Sequence, residues 1–128
     1  MDTKKKFKIL IADDEPGILE LMADTFNSHR YDLYLASNGM EAIDILKLKV
    51  IDLVISDFRM PNGNGMAILN FVNLMEKKPI FLFFSSDFEL ESNDCLKLGV
   101  KQVFPKPFSL CQLISEVEKE SIIFFKRA

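Results

Sequence analysis

Short apolar runs alternate with stretches of helical period along the whole of this chain, and that alternation decides which folds are open to it. The runs lie at residues 7–12, 31–36, 50–56, 79–84 and 100–105. The second alternates with period two. The fourth, Pro79-Ile80-Phe81-Leu82-Phe83-Phe84, is the most apolar and reads as a central buried strand. Between the runs, residues 16–28 carry Ile18, Leu21, Met22, Thr25 and Phe26 at helical spacing, with Glu15-Pro16 as a start signal. Ser37-Asn38-Gly39 leads into a second helical stretch from Met40 to Leu46, and Met66, Leu69, Phe71, Val72 and Met75 mark a third. Residues 88–98 read as a polar, weakly amphipathic helix stopped by Gly99. The last helix begins near Phe108-Ser109 and carries the stripe Leu110, Leu113, Ile114, Val117, Phe124 and Phe125. Strands separated by helices pair in parallel and need both faces covered. The expected fold is therefore α/β, a doubly wound five-stranded parallel sheet with helices on both faces. At 128 residues, without repeats, low-complexity stretches or an internal linker, the expectation is one domain over 1–128.

The chemistry gathers where the strands end. Asp57 closes the run Val50-Ile51-Asp52-Leu53-Val54-Ile55-Ser56 and precedes the loop residues Met60-Pro61-Asn62-Gly63. Ligands bind at the carboxyl ends of strands in open α/β sheets. An acid placed there is costly unless it is paired, bound to a metal or open to a cleft. Asp13-Asp14 follows the first run and Lys106-Pro107 follows the last. If these strands are neighbours, three carboxylates and one ammonium meet at one sheet edge. Crowded carboxylates raise one another's pKa unless a cation compensates. A hard divalent ion with oxygen ligands, Mg²⁺ above all, meets that need and keeps a coordination position for a phosphate oxygen.

Bulk properties narrow the partners. With a net charge of −3, the domain as a whole gives no reason to expect nucleic-acid or anionic-membrane binding. Met1-Asp2-Thr3-Lys4-Lys5-Lys6 has no long apolar stretch behind it, so neither a signal peptide nor a membrane span is indicated, and Lys4-Lys5-Lys6 reads as a solubilising arm. Cys95 and Cys111 lack metal-site spacing and suit a reduced, cytoplasmic protein. His29, the sole histidine, has no matched acid or nucleophile and reads as a surface residue.

Taken together, Ala12-Asp13-Asp14-Glu15, Ser56-Asp57-Phe58-Arg59-Met60-Pro61, Ser85 and Lys106-Pro107-Phe108 resemble the receiver domain of bacterial two-component response regulators, over essentially the whole chain and in the right order. The resemblance implies the flavodoxin-like strand order 2-1-3-4-5 with about five helices. It makes Asp57 the phosphoacceptor. Asp13 and Asp14 become the acidic pair that holds Mg²⁺, with Asp14 as the direct ligand, and the backbone carbonyl of Arg59 joins Asp57 in completing the set. Lys106 would answer the phosphoryl oxygens, and Ser85 would be the switch hydroxyl. The resemblance also implies a cis Lys106–Pro107 bond. It names a sensor histidine kinase or phosphotransfer protein as donor, and a downstream protein or fused output domain as target. Slow loss of phosphate would be self-catalysis, not enzyme turnover on outside substrates.

The sequence departs from that pattern at four places. An ungapped count from Pro79 puts the hydroxyl position on Phe84, whereas counting back from Gly99 puts it on Ser85. Phe84 cannot donate a hydrogen bond, so Ser85 is preferred, with Ser86 as rival. Val103 stands where many relatives carry an aromatic. Asn62-Gly63-Asn64-Gly65 promises a more flexible loop. Pro105 removes a backbone donor at the end of a strand. Arg59 is also placed to reach over the site.

Other readings compete. An unphosphorylated interaction module on the same fold is the alternative, opposed by the presence of all four of Asp13, Asp14, Asp57 and Lys106. An aspartate-nucleophile phosphohydrolase would want an acid where Arg59 stands. A flavin site would want a Gly/Ser/Thr-rich loop where Asp13-Asp14-Glu15-Pro16 stands. Ile122 and Ile123 fall beside the buried stripe of the last helix, which suggests either a wider buried face or a contact surface such as a homodimer interface.

Overall fold

A computed structural model describes residues 6–85 and 97–127. Its elements are β1 (Phe7–Ala12), α1 (Pro16–Thr25), β2 (Tyr31–Ala36), α2 (Gly39–Leu48), β3 (Leu53–Asp57), α3 (Gly65–Asn73), β4 (Ile80–Ser85), β5 (Gln102–Pro105) and α4 (Leu110–Arg127). The five strands form one parallel sheet in the order β2-β1-β3-β4-β5. The expected doubly wound architecture and strand order are both present.

Side-chain alternation along the strands builds the two layers. On one face, Leu10, Val54, Phe81 and Phe83 pack with Ala42 and Leu46 of α2 and with Ile68, Leu69 and Val72 of α3. On the other, Ile9, Ile11, Leu53, Ile55, Leu82 and Phe84 pack with Met22 of α1 and with Leu113 and Val117 of α4. β3 is buried at all five positions, as a central strand covered on both sides must be. Each fully buried Leu, Ile or Phe contributes about 1.5–3 kcal/mol by leaving water.

The helices start where the sequence supplies caps. The Asn38 side chain accepts from the amide of Glu41 at α2, and Asn64 accepts from that of Ala67 at α3. Pro16 opens α1 at a position where its missing N–H costs nothing.

β3, α1 and the loop after β3 differ from expectation. β3 begins at Leu53, because Val50 is 70 % exposed and belongs to the turn from α2. α1 ends at Thr25, whose hydroxyl donates back to the Leu21 carbonyl, and Asn27 and Ser28 are exposed. The loop 62–64 is anchored by its backbone: Gly39 donates to Gly63 O and Met40 to Asn62 O. At the end of α4, Phe124 and Phe125 turn their rings onto Phe7, and of the predicted contact patch only Ile122 is exposed. Ser86, Cys95 and nearly all of the helix expected at 88–98 lie outside the described residues.

Candidate functional site

Strand register puts the site together. Ala12 on β1 stands beside Ser56 on β3, so the next residues, Asp13 and Asp57, come side by side at the carboxyl edge. Asp57 in turn stands beside Phe84, and Ser85 beside Pro105, which places Lys106 just past the end of β5. Four strands thus deliver the acids, the serine and the lysine to a cleft of about 290 Å³ lined by Asp14, Glu15, Asp57, Phe58, Arg59, Ser85 and Lys106.

Asp13, Asp14 and Asp57 each offer a carboxylate oxygen, and these oxygens all lie within 4.8 Å of one another. Asp13 is fully buried, Asp57 is nearly so, and Asp14 faces solvent. The Asp13 Oδ1 accepts from the Glu15 amide at 2.9 Å. Its Oδ2, also buried, has no hydrogen-bond partner among the described residues. A buried carboxylate oxygen left without a donor costs free energy unless a cation or water meets it. A compact oxygen-only donor set with one orphaned oxygen fits a hard divalent ion such as Mg²⁺, the arrangement expected for Asp13, Asp14 and Asp57. Arg59 lines the same cleft two residues beyond Asp57.

Lys106 is the cation the structure already supplies. Its Nζ donates to Asp57 Oδ2 at 3.0 Å and lies 3.7 Å from both Asp13 Oδ2 and Glu15 Oε1. Burial alone would push this ammonium toward neutrality. The hydrogen bond to Asp57 and the fields of Asp13, Asp57 and Glu15 outweigh that, and its pKa stands above the ordinary value. Asp13 goes the other way for an acid: burial, opposed by the Glu15 amide and by Lys106 and reinforced by Asp57, raises it from 3.8 to about 6.

Ser85 lines the cleft, whereas Phe84 is buried among Phe104 and Phe108 and stacks on the latter at 4.3 Å between centroids. Of the described candidates for the hydroxyl position, Phe84 and Ser85, only Ser85 lines the cleft. The Lys106–Pro107 bond is cis. Pro105 has a local consequence. Lys101 N donates to Phe81 O, so a two-residue ladder step brings position 105 opposite Ser85 O. A proline there has no proton to give, and Lys106 N takes the place, reaching Ser85 O at 3.0 Å.

Glycine shapes the rest. A Cβ on Gly65 would sit 2.7 Å from the Asp57 carbonyl oxygen and 2.5 Å from the Phe83 ring, so only glycine lets α3 start against the end of β3. Sequence reasoning read Glu15, which shares Lys106, as a helix-start and motif residue and Gly39, which touches the loop after Asp57, as the lead into a helix, and gave neither a part in the site. Glu15 adjoins the acidic pair, which is a usable signal. Gly39 carries none beyond being a glycine.

A doubly wound sheet with an acid cluster and a lysine at its switch edge defines a class, and comparison with known proteins supplies the family. The chain belongs to the response regulator receiver domain family, which matches residues 9–118. Among solved structures, it is similar to the receiver domain of the Francisella response regulator 1452, at 25% identity and a TM-score of 0.82, covering 91% of this chain and 98% of that one. The N-terminal domain of an uncharacterized protein from Wolinella succinogenes matches at 26% identity and a TM-score of 0.87, covering 97% of this chain and 100% of that one. The non-phosphorylated HemR receiver domain of Leptospira biflexa matches at 28% identity and a TM-score of 0.78, over 91% and 94% of the two chains. Receiver domains are signalling switches of two-component systems and not classical enzymes. No helix among the described residues is long and apolar enough to cross a membrane.

Proposed function

We propose that this receiver takes a phosphoryl group on Asp57 from a phosphohistidine of a sensor kinase or phosphotransfer protein, in a Mg²⁺-dependent step. The observation that carries the reading is the 3.0 Å bond between Lys106 and Asp57 inside a cluster of three converging carboxylates. A carboxylate oxygen of Asp57 attacks phosphorus in line. The new O–P bond forms as the P–N bond breaks, and the electron pair leaves with the imidazole nitrogen, which takes a proton. Positioning and charge stabilisation do most of the catalysis in such transfers. Asp13, Asp14, Asp57 and the Arg59 carbonyl would hold Mg²⁺, which when bound neutralises charge on the phosphoryl oxygens.

In this reading Lys106 leaves the carboxylate oxygen it now holds and answers the added phosphoryl charge as a compact ammonium. Ser85 donates its hydroxyl to a phosphoryl oxygen, which draws its segment inward and biases the surface that a downstream protein or a fused output domain reads. The whole of 1–128 acts as one receiver domain in the cytoplasm.

The test is mass spectrometry after treatment with acetyl phosphate or phosphoramidate, with and without Mg²⁺, on the parent and on Asp57→Asn. One added phosphate in the parent alone, dependent on Mg²⁺, is the expected result. Labelling of both proteins, or of neither, refutes the assignment.

A further inference from the structure

We propose that the amino edge of the sheet, opposite the acid site, is a docking surface for an anionic lipid bilayer. The net charge of −3 averages over a strongly polarised molecule. Asp13, Asp14, Glu15 and Asp57 occupy the carboxyl edge. The turns that enter the strands at the other edge carry lysines instead. Lys47 and Lys49 lie at the end of α2, Lys77 and Lys78 between α3 and β4, and Lys97 and Lys101 just ahead of β5. All six are exposed. Lys101 pairs with the buried Glu120 at 2.8 Å, but the other five have no ion pair among the described residues. Two acids share these turns, the half-buried Asp52, which accepts from the Lys8 amide, and the exposed Glu76, so the five lysines without an ion pair outnumber them.

The same turns hold the most exposed large apolar side chains among the described residues. Leu74 is 87 % exposed, Leu48 80 % and Val50 70 %. Leu98, 45 % exposed, continues the patch, since its carbonyl accepts from the Asn73 amide at the end of α3. α2 and α3 pack side by side on one face of the sheet, and Leu48, Val50 and Leu74 lie at or just past their carboxyl ends. The layer of turns is stepped: β1 and β2 start side by side at Phe7 and Tyr31, β3 starts two residues along at Leu53 beside Ile9, and a cleft lined by Lys6, Asn27, Ser28, His29 and Tyr31 lies at the β2 end, apart from the leucines.

Aliphatic tips set among unpaired lysines at one edge of the sheet match the boundary of a bilayer. The tips enter the acyl region while lysine stems lie along it and their ammonium groups meet lipid phosphates. A nucleic acid offers nothing for leucine, and its bases stack on aromatic rings that this patch lacks. A bilayer on this edge leaves the acid site pointing away from the membrane, free for a protein donor.

The experiment is sedimentation of the chain with vesicles of equal parts phosphatidylglycerol and phosphatidylcholine, against phosphatidylcholine alone. Three proteins are compared: the parent, Lys47→Glu/Lys49→Glu/Lys77→Glu/Lys78→Glu, and Leu48→Ser/Leu74→Ser. All these positions are exposed, and circular dichroism checks that each variant folds. The parent is expected to partition onto the anionic vesicles only, with binding weakened by salt. Partition should fall by at least about fivefold for each lysine reversed to glutamate. The double serine variant should also lose binding although its charge is unchanged. No partition of the parent, equal partition onto both vesicles, or binding to polyglutamate or duplex DNA that matches the vesicles and ignores the serine changes would each overturn the proposal.

Discussion

The amide nitrogen of Gly39 donates to the carbonyl oxygen of Gly63 at 2.8 Å, so close that a Cβ on Gly39 would sit 2.3 Å from that oxygen. This contact ties the first turn of α2 to the loop after Asp57. Asn62 and Gly63 hold the loop's shape with φ of 51° and 98°.

Alanine should therefore have opposite effects at two helical glycines. Gly17, in the first turn of α1, has nothing within 4 Å of its missing Cβ, so Gly17→Ala should stabilise by about 0.5–1 kcal/mol. Gly39→Ala must push the loop away and should destabilise by about 1–3 kcal/mol. If the Arg59 carbonyl is a Mg²⁺ ligand, the change should also weaken Mg²⁺ binding, because Arg59 belongs to the same loop. Thermal melts and a Mg²⁺ titration by calorimetry check both arms; a stabilised Gly39→Ala protein would show the contact to be slack.

Burial raises Asp13 from 3.8 to about 6, which predicts how the metal-free domain responds to pH. The folded state holds this proton more tightly than the unfolded chain. Its stabilising contribution is thus complete below about pH 3.8 and is lost as pH climbs through 6. The loss is on the order of 2–3 kcal/mol from this group alone. Denaturation in the presence of a chelator, compared between the parent and Asp13→Asn, isolates it: the variant should lack this slope and be the more stable protein at pH 7. Added Mg²⁺ should restore the parent at neutral pH, because it binds the folded state.

A divalent ion bound by the three acids would compete with Lys106 for the same carboxylates. Lys106→Met should raise Mg²⁺ affinity, since the ammonium 3.0 Å from Asp57 and 3.7 Å from Asp13 no longer screens them. If Asp57 is the phosphoacceptor, its labelling by a small phosphodonor should fall by about tenfold or more, because a charged partner for the phosphoryl oxygens is gone. A variant that binds Mg²⁺ more weakly than the parent would contradict the competition.

Phe84 is a core residue. Phe84→Ala should cost about 3–5 kcal/mol, as truncation of a buried aromatic does. Phe84→Thr should also destabilise and should not stand in for a hydroxyl at the site. Ile122→Ser, at a half-exposed position, should change stability by less than about 0.5 kcal/mol. Urea titrations of the three variants rank them.

The sheet was legible because buried parallel strands are uninterrupted apolar runs; the 79–84 run became β4, buried at five of six positions, although the central place in the sheet is taken by β3. The site was legible because each of its charged groups directly follows or closes such a run. What stayed hidden is what spacing cannot encode. Val50 extends an apolar run but points into solvent, so β3 starts three residues later than the run suggests. The Ser85 and Phe84 alternatives differ by one position; side-chain chemistry alone favoured Ser85, and the strand's alternation, which buries Phe84 on the α1 and α4 side, agrees. The loop 62–64 reads as loose from its glycines, yet partners distant in sequence hold it.

Pro105 leaves the main chains of Lys106 and Ser85 joined by a single short tether. Neither residue can travel far without towing the other. Any event that draws the end of β4 inward therefore also sets how far the lysine reaches, so that two motions that look separate become one coordinate.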